Sequence, residues 1–224
     1  MVPKVIHCFW AGGPKTRLAR RCLASWRKFA PDWEVREWTL ADLPSGSRFL
    51  ESAVGRRRWA AVSDWARMWA LKERGGVYFD FDVELVRGID DMCSFEWIAS
   101  ELLPNGGCQA NPGGGIALER DSPIAARMLE LYEEQGYDPE AEMMVAITAN
   151  LADAMSRVAI SPRVLPPEWF CPIGPNGRIR RTANTRAIHW YAMSGASPRR
   201  RFARWLSWHG MDWLVRRLVG RRLA

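Results

Sequence analysis

Residues 60–86 carry two successive patterns of hydrophobic and polar positions, which predict a helix followed by a strand. In the first half, apolar residues recur at the three- and four-residue spacing of one helix face. Gly75-Gly76 then ends the helix, because glycine accepts the left-handed backbone that a helix C-cap requires. From Val77 to Val86 hydrophobic and polar residues alternate, as in a strand with one apolar face. The apolar helix positions are Trp65, Met68, Trp69 and Leu71.

Asp80 and Asp82 lie together on the polar face of this predicted strand. Two carboxylates this close repel each other, so they indicate a bound cation, a neighbouring arginine or a raised pKa. A small set of oxygen ligands suits Mg²⁺ or Mn²⁺, with water and phosphate completing the shell. The alternative is a solvated edge strand, since so short a motif also occurs by chance. The apolar surroundings and the preceding Gly-Gly turn favour the metal site.

Strands and helices are predicted to alternate along the rest of the chain. The first strand is apolar on both sides and precedes the turn Ala11-Gly12-Gly13-Pro14. Ligands of open α/β sheets bind at the carboxyl ends of strands, so this turn is expected near a ligand. The predicted strands cover 3–10, 33–38, 95–102, 116–118 and 187–190. The other predicted helices cover 16–29, 122–132 and 140–156.

Several side chains in these elements have both a structural and a functional interpretation. Trp10 either presents an aromatic face to a planar base or belongs to the core. Asp64 and Arg67, three positions apart on the central helix, form either a surface ion pair or part of a ligand cleft, and Asp64 could instead cap the helix. By position alone, His7 and His189 are interpreted as structural histidines.

A glycine-rich segment, NGGCQANPGGG, occupies residues 105–115. It lacks the GxxxxGK[ST] pattern of the phosphate-binding loop, but its glycines permit close approach of backbone to a ligand. The alternative is a flexible connection. We place this loop, with Asn111, beside the predicted ligand cleft.

The positive charge is concentrated at the end of the chain. From residue 199 onward there are eight arginines and one acidic residue, Asp212, which accounts for the whole net charge of +7. A near-neutral body without a basic stripe argues against a nucleic-acid partner. Arginine-flanked tryptophans predict a tail that lies on an anionic membrane surface, or else docks on the protein. We therefore divide the chain into a domain at 1–197 and a basic, Trp-rich helical tail at 198–224.

The five cysteines include no CxxC pair, which favours reduced thiols in a cytoplasmic protein over disulfides or structural zinc. The first residues, MVPKVIHCFWAGG, lack the long apolar region and cleavage site of a signal peptide. No apolar run approaches the roughly 20 residues of a membrane span. We expect a cytoplasmic protein, peripheral at the inner membrane face.

Five segments, found in a fixed order over residues 2–197, carry a family resemblance. They are VPKVIHCFWAGG, SWRKFAPDWEVREW, AVSDWARMWALKERGGVYFDFDVELVRGID, EWFCP and AIHWYAMS. The chain resembles glycosyltransferase family 32, the glycosyltransferases with an Asp-x-Asp sugar-binding region. That family includes capsular and lipopolysaccharide sugar transferases and fungal Golgi mannosyltransferases, with the clostridial glucosylating toxins as distant relatives. The third segment is the most specific.

The resemblance implies a GT-A fold, which is an α/β fold with a Rossmann-like mixed sheet flanked by helices. It implies a retaining hexosyltransferase that uses Mn²⁺ or Mg²⁺ and a nucleotide-sugar donor, with a UDP-sugar favoured. The acceptor would be a glycan or a lipid-linked saccharide, as in capsule or lipopolysaccharide synthesis.

The resemblance also implies a role for each matching residue. Trp10 would stack on the nucleobase, and Asp64 and Arg67 would hold the donor sugar. Asp80 would contact ribose and sugar and complete the metal site. The remaining implied contacts are Asp82 and His189 at the metal and Ser194 near the diphosphate. With a sugar donor implied, we assign the glycine-rich loop to the sugar or acceptor side of the cleft and Asn111 to the donor-binding residues.

Two other function classes remain open at this point. In the family a Trp usually follows the serine near the diphosphate, whereas Gly195 stands there in this chain. That difference and the short chain favour a catalytically silent module that binds a sugar nucleotide or a membrane surface. A phosphatase or nuclease would need further carboxylates for two metals.

Overall fold

A computed structural model describes residues 1–137, 143–159, 161–175 and 177–192, with the side chains of 143–146 left out. Ser194, Gly195 and the predicted tail at 198–224 lie outside the described residues. Within the described ranges, every helix is too short or too polar to cross a membrane.

Ten strands in the described residues form three sheets. The largest has the order β2-β1-β3-β8-β5-β9, and the pairs β4–β10 and β6–β7 form two small antiparallel sheets. In the large sheet β1 pairs in parallel with β2 and β3, whereas β8 is antiparallel to β3 and β5, which confirms the expected mixed sheet. The strands are β1 (Val5–Phe9), β2 (Glu34–Trp38), β3 (Gly76–Tyr78), β4 (Val83–Leu85), β5 (Trp97–Ile98), β6 (Ser100–Leu102), β7 (Cys108–Ala110), β8 (Ile116–Leu118), β9 (Arg163–Val164) and β10 (Ala187–His189).

Helices cover both faces of the large sheet. The buried residues fall into two clusters: one joins Trp26 of the first helix to Val77 and Phe79, and the other joins Met68 of the third helix to Tyr78. Successive residues of a strand point to opposite faces, so β3 contributes to both clusters. The α-helices are α1 (Arg17–Phe29), α2 (Arg48–Gly55), α3 (Trp59–Arg74), α4 (Pro123–Gln135), α5 (Met143–Ser156) and α6 (Pro167–Phe170).

The two glycines after α3 act as the sequence predicted. Gly75 has φ of 63° and donates its N–H to Leu71 O at 2.8 Å, which ends the helix. Gly76 has φ of 109°, and a Cβ there would lie 2.5 Å from Val5 O of the neighbouring strand. Since L side chains rarely adopt positive φ, only glycine fits this turn and the close approach of β1 to β3.

The single strand predicted over 77–86 is wrong. β3 ends at Tyr78, residues 79–82 form a turn in which Val83 N–H donates to Asp80 O at 3.0 Å, and β4 then joins a different sheet. The segment 95–102 likewise divides into β5 and β6, which belong to different sheets. Side-chain alternation continues across each division, so the period-two pattern does not reveal a change of pairing partner.

The side chains predicted to be structural fit their surroundings. His7 is buried, accepts from Trp38 Nε1 at 3.0 Å through Nδ1, and places Nε2 2.8 Å from Gly75 O. All five cysteines are free thiols, and Cys108 is the exposed one.

Candidate metal and donor site

The Asp-x-Asp motif lies in the turn that follows β3, at the carboxyl end of the parallel pair β1 and β3. The N–H of Asp80 donates to Gly113 O at 3.1 Å, which fixes the start of the turn. The turn keeps the two carboxylates close together, with ligand atoms of both within 4.8 Å of each other. Their side chains are 32% and 16% exposed, so they are not splayed into bulk water.

Strand β10 places His189 beside Asp82. It runs antiparallel to β4 with His189 opposite Val83, and His189 Nε2 lies 3.3 Å from Asp82 Oδ1. The second carboxylate oxygen accepts the N–H of Ala192 at 2.6 Å. Asp80, Asp82 and His189 each offer a ligand atom, and these atoms lie within 4.8 Å of one another.

In the structure Asp82 and His189 form a buried ion pair. Burial acts to lower the pKa of His189, but the charge of Asp82 raises that pKa well above its usual value. Burial acts to raise the pKa of Asp82, but His189 and the Ala192 amide hold that pKa below its usual value. Each group therefore stabilises the charged form of the other.

Arg67 links helix α3 to the motif. Its Nη1 donates to Asp64 Oδ1 at 2.6 Å and its Nη2 donates to Asp80 Oδ1 at 2.8 Å. The Arg67 side chain is only 2% exposed, which excludes the surface ion pair considered from the spacing. Burial raises the pKa of Asp64 to about 6 against the opposing charge of Arg67, so Asp64 is ionised at neutral pH. One buried cation thus serves two carboxylates.

Two further side chains, which the sequence analysis did not select for the site, support Arg67. The Tyr78 ring lies 4.9 Å from the guanidinium carbon, and Tyr78 Oη lies 3.0 Å from Ser63 Oγ. An aromatic face next to a buried guanidinium is a favourable cation–π arrangement. The alternation pattern had assigned Tyr78 to the polar face with Asp80, whereas it is buried beneath the site.

The glycine-rich loop forms one wall of the site. A Cβ on Gly113 would lie 2.5 Å from Asp80 Oδ2, and a Cβ on Gly114 would collide with Cys171 Sγ and lie 3.4 Å from His189 Nδ1. Asn111 is buried, and its Oδ1 accepts the N–H of Gly114 at 3.1 Å, so its side chain shapes this loop. The glycines predicted to allow close approach therefore accommodate the site's own side chains.

Two residues around His189 were not selected from the sequence. Cys171 Sγ lies 3.9 Å from His189 Nδ1, and the Tyr191 ring stacks on the imidazole at 4.1 Å between centroids. The backbone of Tyr191 has φ of 50°, which is uncommon for a residue other than glycine. The only sequence signal for Cys171 was its place in EWFCP.

Trp10 borders the motif on the β1 side. Its half-buried ring packs edge-on against Phe81 at 4.9 Å between centroids, and its Nε1 donates to Gly13 O at 2.9 Å. Lys15 Nζ lies 6.0 Å from the same ring. The structure thus brings Trp10 next to the turn that carries Asp80 and Asp82.

Residues 16–101 match the family model described as "Glycosyltransferase sugar-binding region containing DXD motif". This segment of the chain is similar to glycosyltransferase sugar-binding regions. Its DXD motif is Asp80-Phe81-Asp82. A comparison with curated proteins finds no match.

Two solved structures share the fold of this chain over most of its length. "PaToxG Glycosyltransferase" aligns with a TM-score of 0.56 and 17% identity over 70% of this chain and 69% of that chain. "Crystal structure of a glycosyltransferase involved in the glycosylation of the major capsid of PBCV-1" aligns with a TM-score of 0.55 and 15% identity over 94% of this chain and 100% of that chain. The two structures show a shared fold, and the family match is what supports a function in glycosyl transfer.

The residues of the sugar-binding region and β10 fit a divalent cation. Two carboxylates and one imidazole suit Mn²⁺, which accepts nitrogen ligands, better than Mg²⁺, which prefers oxygen. His189 must lose its proton to bind a metal, so binding would replace the ion pair with Asp82 by coordination. The residues that would hold the ion are Asp80, Asp82 and His189.

Proposed function

We propose that the protein is a metal-dependent, retaining glycosyltransferase that moves a hexose from a nucleotide-sugar to a glycan or lipid-linked saccharide. The observation that carries the proposal is the convergence of Asp80, Asp82 and His189 within 4.8 Å at the carboxyl end of β3. The neighbouring Arg67 supports it, because a nucleoside diphosphate leaves with negative charge that needs stabilisation.

In this proposal the bound cation, Mn²⁺ or Mg²⁺, supplies a Lewis acid for the leaving diphosphate. Asp80, Asp82 and His189 would hold that ion, and Asp80 would also contact the ribose and the donor sugar. The 2.8 Å bond from Arg67 to Asp80 fixes this carboxylate, which leaves one oxygen for the ion and ties the metal site to helix α3.

Asp64 and Arg67 are proposed to hold the hydroxyls of the donor sugar. The charge-assisted bond between them, at 2.6 Å, fixes both groups before the donor binds. Such preorganisation reduces the entropy lost on binding and directs fixed charge at the reacting centre.

Trp10 and the glycine-rich loop are proposed to complete the donor pocket. The edge-on contact with Phe81 leaves a face of the Trp10 ring for the nucleobase, with a UDP-sugar as the favoured donor. Asn111 and Ser194 are further proposed donor contacts. The buried bond from Gly114 to Asn111 Oδ1 supports Asn111 as a residue that shapes this side.

The acceptor and the location belong to the same proposal. A lipid-linked saccharide of capsule or lipopolysaccharide synthesis would place the enzyme in the cytoplasm at the inner membrane face. The arginine- and tryptophan-rich sequence of 198–224 supports this placement, because each basic residue near an anionic membrane surface contributes ~1 kcal/mol.

Donor hydrolysis tests the chemistry without a known acceptor. Incubation with UDP-sugars and GDP-sugars plus Mn²⁺ should release nucleoside diphosphate, and chelation should abolish the release. Asp82→Asn keeps an oxygen for the Ala192 amide but removes the charge, and we expect a loss on the order of 100-fold or more. Asp32→Asn, an exposed Asp on the turn before β2, is the matched control and should behave as wild type.

Three outcomes would contradict parts of the proposal. A folded Asp82→Asn variant with wild-type hydrolysis would exclude the metal site. A product with inverted anomeric configuration, measured by NMR, would exclude retention. Metal-dependent donor binding without turnover on a broad acceptor panel would instead select the catalytically silent module.

A further inference from the structure

Helix α1 presents a continuous cationic stripe to solvent. Its exposed positions follow one another at intervals of three, one, three, three and one residues, which is the spacing of a single helix face. Five of these six positions are basic, and the helix contains no acidic residue. The exposed residues are Arg17, Arg20, Arg21, Ala24, Arg27 and Lys28.

Helix stability explains only part of this stripe: the helix dipole favours Arg27 and Lys28 in the last turn but disfavours Arg17 and Arg20 near the N-terminus. Like charges three or four positions apart on a helix repel each other and destabilise it by a few tenths of a kcal/mol per pair. Arg21 pairs with Glu84 at 2.9 Å, but among the described residues Arg17, Arg20, Arg27 and Lys28 make no ion pair. A stripe that costs stability in the free protein indicates a partner of opposite charge.

A second basic element lies beside the stripe. Residues 178–181 have the sequence Arg-Ile-Arg-Arg and are all exposed. Lys28 of the helix and Arg181 of this segment line one shallow groove of ≈ 410 Å³, so the two elements form one surface. In the segment 178–181 the side chain of Ile179 is 43% exposed, so an apolar group lies among the arginines.

The described chain also ends on this side of the molecule. The Trp190 ring lies 4.8 Å from the guanidinium carbon of Arg21, and its Nε1 donates to Glu84 at 2.8 Å. In sequence, the arginine- and tryptophan-rich stretch at 198–224 follows soon after these residues. The last described residues of the chain therefore lie beside the cationic stripe.

We propose that this basic face docks on an anionic membrane surface. The basic face consists of the exposed cations of α1 together with residues 178–181. Its charge complements acidic lipid headgroups, and Ile179 among arginines provides an apolar group for the interface between headgroups and acyl chains. The inference rests on the proposed function, because docking on a membrane would bring the enzyme to a lipid-linked acceptor. Vesicle binding can nevertheless be measured without any acceptor.

The basic face also corrects an argument made from the sequence. Nucleic-acid binding was disfavoured because the body was taken to lack a basic stripe, whereas α1 carries one. The membrane remains the favoured partner, since the flanking Trp190 is packed against Arg21 and Glu84, and the exposed apolar residue, Ile179, is aliphatic and provides no ring for base stacking.

Vesicle sedimentation of the full chain tests the proposal. The helix variant Arg20→Gln/Arg27→Gln/Lys28→Gln and the loop variant Arg178→Gln/Arg180→Gln/Arg181→Gln each remove three charges. Each basic residue near the membrane surface raises the affinity for vesicles about five-fold. The lipid concentration at half-maximal binding should therefore rise on the order of 100-fold in each variant. The vesicles contain 70% phosphatidylcholine and 30% phosphatidylglycerol, and pure phosphatidylcholine vesicles should bind weakly.

A third variant, Arg56→Gln/Arg57→Gln/Arg58→Gln, is the matched control. These exposed arginines precede α3, which packs on the opposite face of the sheet from α1. The control should bind vesicles as wild type does. Thermal melting by circular dichroism shows whether the helix variant is folded, and the loop variant tests the same surface without altering α1.

The proposal fails if both test variants bind vesicles as well as wild type, because residues outside the basic face would then account for binding. It also fails if a single-stranded RNA oligonucleotide binds at concentrations at which vesicles do not. Donor hydrolysis is measured without vesicles, so intact hydrolysis with no vesicle binding would overturn this inference and leave the proposed function standing.

Discussion

Substitution of one glycine in the loop beside the motif should separate catalysis from folding. Gly113 lies outside the left-handed region, so alanine introduces no backbone strain. The added methyl group would, however, lie 2.5 Å from Asp80 Oδ2 and 3.3 Å from Asn111 Oδ1. The nearest obstacle is a partly exposed carboxylate, which can rotate away without disturbing the core.

The structure gives the size of the displacement. Van der Waals contact needs about 3.5 Å, so the Asp80 carboxylate must retreat by about 1 Å. A misplacement of about 1 Å in a catalytic group costs on the order of 100-fold in rate. The same retreat weakens the hydrogen bond from Arg67 to Asp80, although water replaces part of that bond. Alanine also reduces the conformational entropy of the unfolded chain, which favours the folded state. We expect the free energy of unfolding to fall by about 1 kcal/mol or less.

The assay compares Gly113→Ala with Gly55→Ala. Gly55 ends helix α2, and a Cβ there meets nothing within 4 Å, so its variant should keep full activity and stability. Manganese-dependent release of nucleoside diphosphate measures activity, and urea unfolding measures stability. Calorimetric titration with Mn²⁺ should show weaker binding for the Gly113 variant alone.

A Gly113→Ala protein that is folded and releases nucleoside diphosphate at the wild-type rate would refute this reasoning. The position of Asp80 would then not matter for the reaction. An equal loss of activity in Gly55→Ala would show that the assay reports a general effect of glycine replacement.

Two further predictions concern buried charge. Burial lowers the pKa of His7 to about 4, so the unfolded chain binds a proton between pH 6.5 and 4 that the folded chain does not. Stability should therefore fall as the pH drops through this window, by about 2 kcal/mol between pH 7 and 5, and His7→Gln should remove that dependence in urea titrations. Arg67→Met leaves Asp64 and Asp80 without their shared cation and should lower the free energy of unfolding by about 3–5 kcal/mol. Arg74→Met, which breaks an exposed ion pair with Glu34, should cost at most about 1 kcal/mol, and an equal loss in both variants would contradict the buried-pair argument.

The sequence alone determined the local elements. Helix α1 begins and ends within one residue of the predicted 16–29, and α3 ends before Gly75 as the pattern indicated. These features depend on side-chain periodicity and on the conformational freedom of glycine, which are properties of neighbouring residues. For the same reason the placement of His7 in a buried strand was predictable.

The family resemblance assigned these residues to one site, but only the tertiary structure shows which of them are in contact. Asp82 and His189 are 107 positions apart, and only the pairing of β4 with β10 makes them neighbours. The role of Arg67 as a shared, buried partner of two aspartates likewise depends on the turn after β3.

The pattern of hydrophobic and polar residues could not show which strand or segment, distant in the sequence, pairs or packs with a given one. Alternation along 77–86 is the same whether one strand or two carries it, so the turn that holds Asp80 and Asp82 was missed. The union of α1 with residues 178–181 in one basic face was missed for a related reason, since these two parts are about 150 residues apart in the sequence. Periodicity and composition describe a residue with its neighbours, whereas hydrogen-bonded pairing and packing decide which distant residues share a surface.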